Sequence, residues 1–162
     1  MPPEMIFDLS QLDFNRPIAD GEAIRAVNPQ RAEMQQLDAV VYLNKTTQIF
    51  VGYKDIRHDE FWVNGHMPGY PLMPGVVICE VAAQLCSYYV RALKLVGGDY
   101  FGFLGMNDIR FRGSVVPGDR LVVIAHAKKV HPRQSLFDAQ GFVGSKMVFN
   151  GEIMGVQLTK RS

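Results

Sequence analysis

Two side chains in this sequence stand out for chemistry, a histidine in a proline- and glycine-rich stretch and a carboxylate in an otherwise apolar one. They are His66 and Glu80, both within GHMPGYPLMPGVVICEVAAQ at residues 65–84. An imidazole is a competent proton acceptor near neutral pH. A carboxylate placed among apolar side chains is costly unless paired or used, and burial raises its pKa so that it can hold a proton. Gly75 follows Pro74 where a helix should begin, and a first-turn N–H has no intrahelical partner and lies at the positive end of the helix dipole. Elimination of water from a 3-hydroxyacyl thioester needs these three things: a base for the C2 proton (His66), an acid for the departing hydroxyl (Glu80) and a donor to the enolate-like oxygen (Gly75). Taken alone, a loop histidine is more often a surface or packing residue than a catalyst. Gln84, one helical turn beyond Glu80, reads as structural support for it.

The elements that must position these groups follow from local pattern. PGVVICEVAAQLCSYYVRALKLVGG predicts one long helix, with Pro74 in its first turn and Gly97-Gly98 as its stop. Its apolar residues run around almost the whole circumference as far as Arg91, so it is expected to be buried. Before it, DAVVYL and TQIFVGYK predict two antiparallel strands joined at Asn44-Lys45. After it, β-rich stretches cover residues 100–116, 119–131 and 135–159, with turns at Pro117-Gly118-Asp119, Pro132-Arg133 and Gly144-Ser145. Gly141, Gly151 and Gly155 are candidate bulges or points of close approach. Asp20 should cap one or two helical turns in GEAIRAV. Residues 1–20 read as an irregular arm, and residues 1–162 as a single domain. A curved antiparallel sheet wrapped around one buried helix satisfies the pattern, an α+β hot-dog arrangement.

Composition removes several classes of function. The 17 Lys and Arg nearly balance the 16 Asp and Glu, so the chain lacks the basic field of a nucleic-acid-binding protein, and an acidic partner must meet a local patch. No secretory signal or membrane-length apolar run is visible, so a cytoplasmic location is expected. Cys79 and Cys86, on one helix, would stand roughly 10 Å apart, too far for a disulfide. The histidines at 58, 66, 126 and 131 show no metal-ligand spacing, so no metal is expected, and nothing in the sequence calls for a cofactor.

These residues resemble the 3-hydroxyacyl-acyl-carrier-protein dehydratases of bacterial fatty-acid synthesis, whose signature reads G-H-F-P-G-x-P-x-M-P-G-V-x-x-x-E-x-x-A-Q. Gly65, His66, Pro68, Gly69, Pro71, Met73, Pro74, Gly75, Val76, Glu80, Ala83 and Gln84 fill its places. IRFRGSVVPGD from Ile109 to Asp119 and the segment from Asp55 to Asn64 are similar to further family segments, so the resemblance spans about residues 29–160. It implies His66 and Glu80 as the catalytic pair, Gly75 as backbone donor, and a site between two subunits of a homodimer or higher even oligomer. It also implies an acyl carrier protein as substrate carrier. Arg110 and Arg112, two apart on a strand and so on one face, are the first candidates for docking that carrier, with Lys128, Lys129 and Arg133 as possible additions. The chain departs from the family at Pro29–Asp38, where PQRAEMQQLD replaces a more apolar motif and keeps only Pro29, Arg31 and Asp38. That change is expected to leave the catalytic groups untouched. Met67 replaces the common phenylalanine, a mild change because methionine packs adaptably. Two alternatives share the fold: a thioesterase, which would release free thiol, and a non-catalytic acyl-binding subunit, which has no need to bury Glu80.

Overall fold

The computed structural model describes residues 1–162. After the short helix α1 (Gly21–Arg25) come β1 (Ala39–Asn44), β2 (Ile49–Asp55), the long helix α2 (Gly75–Ala92), β3 (Tyr100–Phe111), β4 (Arg120–Lys129), β5 (Ser135–Val143) and β6 (Lys146–Leu158). The strands form one six-stranded antiparallel sheet in the order β1-β2-β4-β5-β6-β3. β2 pairs with β4 rather than β3, so the chain leaves the sheet as α2 and re-enters at its far edge. α2 packs against β2, β3, β4 and β6, which is the expected hot-dog arrangement.

Strand periodicity sets the core. In β4, Leu121, Val123, Ala125 and Ala127 belong to the same cluster as Val81, Leu85 and Tyr89 of α2, whereas Val122 and Ile124 point to the other face. Phe50 stacks on Tyr89 with ring centroids 4.2 Å apart. The expected glycine roles are met: the β5–β6 register shifts at Gly141 and Phe142, and side-chain space at Gly151 and Gly155 is taken by Ile109 and Phe101. Asp20 caps α1 through a bond from the Ala23 N–H of 2.9 Å.

Three features depart from expectation. Pro74 is the N-cap with extended backbone, and Gly75 is the first helical residue. The helix stops before Gly97: Lys94 takes a left-handed conformation at φ 54°, while the N–H groups of Lys94 and Leu95 close onto the carbonyls of Arg91 and Val90. This paired closure of the last carbonyls usually employs glycine. Arg91 then fastens Gly97 and Gly98 through their carbonyls at 3.2 and 3.0 Å. Nor is α2 buried all round, because Val76 is 69% exposed and Glu80 and Ala83 are half-buried. Residues at these spacings share one helical face, so an open stripe runs down the helix through Glu80.

The N-terminal arm covers the sheet's outer face. Ile6, Phe7, Leu9, Leu12 and Phe14 pack on a second cluster formed by Val41, Val51, Val122, Ile124 and Phe142. The Ile6 N–H donates to Gln140 Oε1 at 2.9 Å, and Gln140 Nε2 donates to the Glu4 carbonyl at 2.7 Å. With both faces covered, the apolar run LVVIA in β4 needs no polar alternation.

Candidate active site

His66 sits in a loop held at several points. Ile56 N–H donates to the Asp119 carbonyl at 2.9 Å, and Gly118 N–H returns a bond to Ile56 at 2.8 Å. Lys54 and Glu60, both buried, form an ion pair at 3.1 Å, and Glu60 also accepts from the Arg57 N–H at 3.2 Å. Closer to the site, the His66 N–H donates to the Trp62 carbonyl at 2.8 Å, and the Leu72 N–H donates to the His66 carbonyl at 2.8 Å. Met67 and Tyr70 exchange two bonds of 3.0 Å around Gly69, whose φ of 78° closes the turn. The imidazole Nδ1 lies 2.6 Å from the Leu72 carbonyl oxygen. A carbonyl only accepts, so Nδ1 carries the proton and Nε2 keeps a free lone pair.

His66 shares an open cleft of about 470 Å³ with Gly75, Val76, Leu72, Phe111 and Val115. The Gly75 N–H, at the start of α2, has no intrahelical partner. Phe111 lies across it so closely that an added Cβ would stand 2.5 Å from the ring. A side chain at position 75 is therefore incompatible with the ring's present place.

Glu80 lies in a different cavity, smaller at about 40 Å³, lined by Phe101, Phe103, Met154 and Ser87 among others. Within one chain the structure does not place His66 and Glu80 in a common cavity. Burial raises the Glu80 carboxyl above its ordinary range, and the hydrogen bond from Gln84 works against that rise. Gln84 is saturated: Nε2 donates to Glu80 Oε1 at 2.8 Å and to the Met34 carbonyl at 2.6 Å, while Oε1 accepts from the N–H groups of Gln36 and Leu37 at 2.9 and 3.1 Å. Its own carbonyl accepts from Asn28 Nδ2 at 2.9 Å. Gln84 thus ties Glu80 to the backbone of residues 34–37.

The divergent Pro29–Asp38 segment, whose changes were expected to leave the catalytic groups untouched, packs beside the site. It reaches Glu80 through Gln84. Of its family-like residues, Arg31 bonds the carbonyls of Arg25, Asn28 and Gln30, and Asp38 accepts from the Asp55 N–H at 2.8 Å. The segment supplies Gln84 mainly with backbone groups, which almost any sequence provides; the polar side chains at 28 and 84 were its only legible signal.

The remaining predicted residues separate. Arg110 is exposed on β3, whereas Arg112 is half-buried with Nε donating to Asn150 Oδ1 at 2.6 Å. Lys128 is held between Asp138 and Glu152 at 2.9 and 2.6 Å, which leaves it poorly placed to join them. Burial pushes the Cys79 thiol up to about 11 and raises Cys86 as well, so neither offers a thiolate nucleophile at neutral pH. No group of three or more His, Cys, Asp or Glu stands ready to hold a metal ion. No helix is long and apolar enough to cross a membrane.

Comparison with known proteins places the chain in one family. A 3-hydroxyacyl-[acyl-carrier-protein] dehydratase FabZ from Moorella thermoacetica is 33% identical over 135 residues, covering 83% of this chain and 94% of the relative. The enzyme of the same name from Desulforamulus reducens is 30% identical with the same coverage. Among solved structures, the dehydratase heterocomplex ApeI:P from Xenorhabdus doucetiae superposes with a TM-score of 0.71 at 15% identity, over 85% of this chain and 91% of that one. The model of the FabA-like domain matches residues 28–152, a span that includes His66, Gly75, Glu80 and Gln84, and the chain belongs to that family.

Proposed function

We propose that this protein is a 3-hydroxyacyl-acyl-carrier-protein dehydratase that converts its substrate to the trans-2-enoyl thioester by acid–base elimination. The observation that carries the reading is the hydrogen bond from His66 Nδ1 to Leu72, which leaves Nε2 as a base in the same cleft as the unpaired Gly75 N–H. The thioester oxygen accepts from Gly75, which stabilises the enolate-like charge as His66 Nε2 takes the C2 proton. Glu80, whose carboxyl burial shifts toward the protonated form, gives its proton to the C3 hydroxyl, and water leaves. The proton on His66 must then return to Glu80, directly or through solvent, before the next turnover.

Separate cavities for His66 and Glu80 support a site completed by a second copy of the chain. The open stripe at Val76, Glu80 and Ala83 and the unpaired edge of β3, with Phe103, Leu104 and Met106 exposed, provide apolar surface for that copy. In this reading residues 1–162 act as one hot-dog domain within a homodimer or a higher even oligomer, in the cytoplasm. The substrate arrives on the phosphopantetheine arm of an acidic acyl carrier protein, for which Arg110, exposed on β3, is a docking residue. Incubation with a 3-hydroxyacyl thioester tests the chemistry. A rise in enoyl absorbance is expected; release of free thiol alone, or no product, would refute it.

A further inference from the structure

The cavity beside Glu80 has a chemical character of its own. It lies between α2 and the strands β3 and β6, with Phe101, Phe103 and Met154 supplying apolar walls. Ser87 and Gln30 also line it, and Ser87 Oγ and Gln30 Oε1 are buried without any hydrogen-bond partner. Ser87 as a whole is only 3% exposed. Gln84 cannot serve either atom, because its amide is already committed to Glu80, Met34, Gln36 and Leu37. Buried polar atoms are normally paired, and a site that leaves them waiting favours a ligand able to pair them.

Size narrows the choice. At about 40 Å³ the cavity has room for a few non-hydrogen atoms only. Phe101 helps close it, its ring occupying the side-chain space at Gly155 and meeting Phe137 edge-on at 6.2 Å. In the dehydration reading, on which this inference rests, Glu80 touches the C3 hydroxyl, so the acyl atoms just beyond C3 come to this cavity. A long hydrocarbon chain would overfill it and leave the Ser87 hydroxyl without an acceptor. We propose that the cavity receives a short acyl end carrying a hydrogen-bonding atom, so that the preferred substrates are short, polar-ended 3-hydroxyacyl thioesters rather than long alkyl ones.

Two thioesters of equal length on N-acetylcysteamine test this, 3-hydroxy-4-methoxybutanoyl and 3-hydroxyhexanoyl, with 3-hydroxydodecanoyl as the long comparison. The ether is expected to have a kcat/KM about tenfold above its hydrocarbon twin, the scale of one hydrogen bond to a buried neutral group. The dodecanoyl thioester should be poorer than both. Ser87→Ala should bring the ether-to-hydrocarbon ratio close to one. Equal kcat/KM for the twins in the unaltered protein, faster turnover of the dodecanoyl substrate, or a preference that survives Ser87→Ala would each overturn the proposal. So would a crystal structure of the ether complex in which Ser87 Oγ bonds only water. These results leave the dehydratase reading standing, since enoyl product still forms; absence of enoyl product from all three thioesters overturns both.

Discussion

The two halves of the candidate site are built in opposite ways. Glu80 projects from the second turn of an eighteen-residue helix and is held by a glutamine whose every side-chain hydrogen-bonding capacity is spent on named partners. His66 sits in a half-exposed loop, its ring fixed by one bond to the carbonyl of Leu72. The difference fits their tasks. An acid that must keep a proton near neutrality is helped by partial desolvation and a rigid hold, whereas a base must be reached by substrate and needs only its tautomer fixed. The two groups also line separate cavities of the chain.

The sharpest way to break this contrast is to remove either reacting group. His66→Ala and Glu80→Gln should each lower kcat by about 10²- to 10⁴-fold, the usual contribution of a positioned acid or base, with circular dichroism and melting little changed. If the half-sites meet across a dimer, exchanging the two inactive variants at equal ratio should regenerate about a quarter of normal activity, because half of the dimers then hold one intact site. A fully exchanged mixture as inactive as its parents would refute the shared site.

Gln84→Ala probes the rigid half. It strips partners from the buried N–H groups of Gln36 and Leu37, and each such loss costs about 1–3 kcal/mol of stability, measurable by urea unfolding. The sign of its effect on pH dependence follows from the bond that Gln84 gives Glu80, which favours the ionised carboxylate. Without that bond the Glu80 pKa rises further. With Glu80 as the proposed proton donor, activity lost on the alkaline side should now be lost at higher pH; an unchanged or lowered alkaline limb would contradict that role.

Gly75→Ala disturbs the other half through Phe111, whose ring occupies the space of the new methyl. A displacement there should lower kcat/KM about tenfold, since small misplacement at a reacting group is costly. Adding Phe111→Ala should recover part of the loss, and failure to do so would mean that the ring is not the cause. The smallest effect is expected outside both halves. Arg110→Glu should raise KM for carrier-bound substrate a few-fold, about 2- to 5-fold at low salt and less at high salt, while a carrier-free thioester is turned over as before.

What could be read in advance followed the scale on which each feature is encoded. His66, Gly75, Glu80 and Gln84 fall within one short contiguous stretch, and the apolar run of β4 and the turn at Gly144 are local, so the fold and the candidate site's residues were legible. The end of α2 was not, because Lys94 adopts the left-handed backbone usually given to glycine, with no mark in its side chain. Apolarity all round α2 suggested complete burial, yet apolarity does not say what covers a face; Val76 and Ala83 lie on the one that this chain leaves uncovered. The support given to Glu80 by Gln36 and Leu37 comes from backbone N–H groups, which leave no trace in residue identity.

The arm also bears on the order in which the protein takes shape during synthesis. Residues 6–14 leave the ribosome before the surface they cover is complete, since Val122, Ile124, Gln140 and Phe142 lie more than a hundred positions downstream. Contacts of such separation form late, after the intervening loop has been closed by other structure. Until then Phe7 and Phe14 have only Tyr42 and Tyr53 to pack on, and the rest of the outer face of β2 stays open. The nascent chain is therefore most prone to stick to its neighbours in the interval between the emergence of β2 and that of β5, and it is in this interval that a chaperone that binds apolar segments would find it.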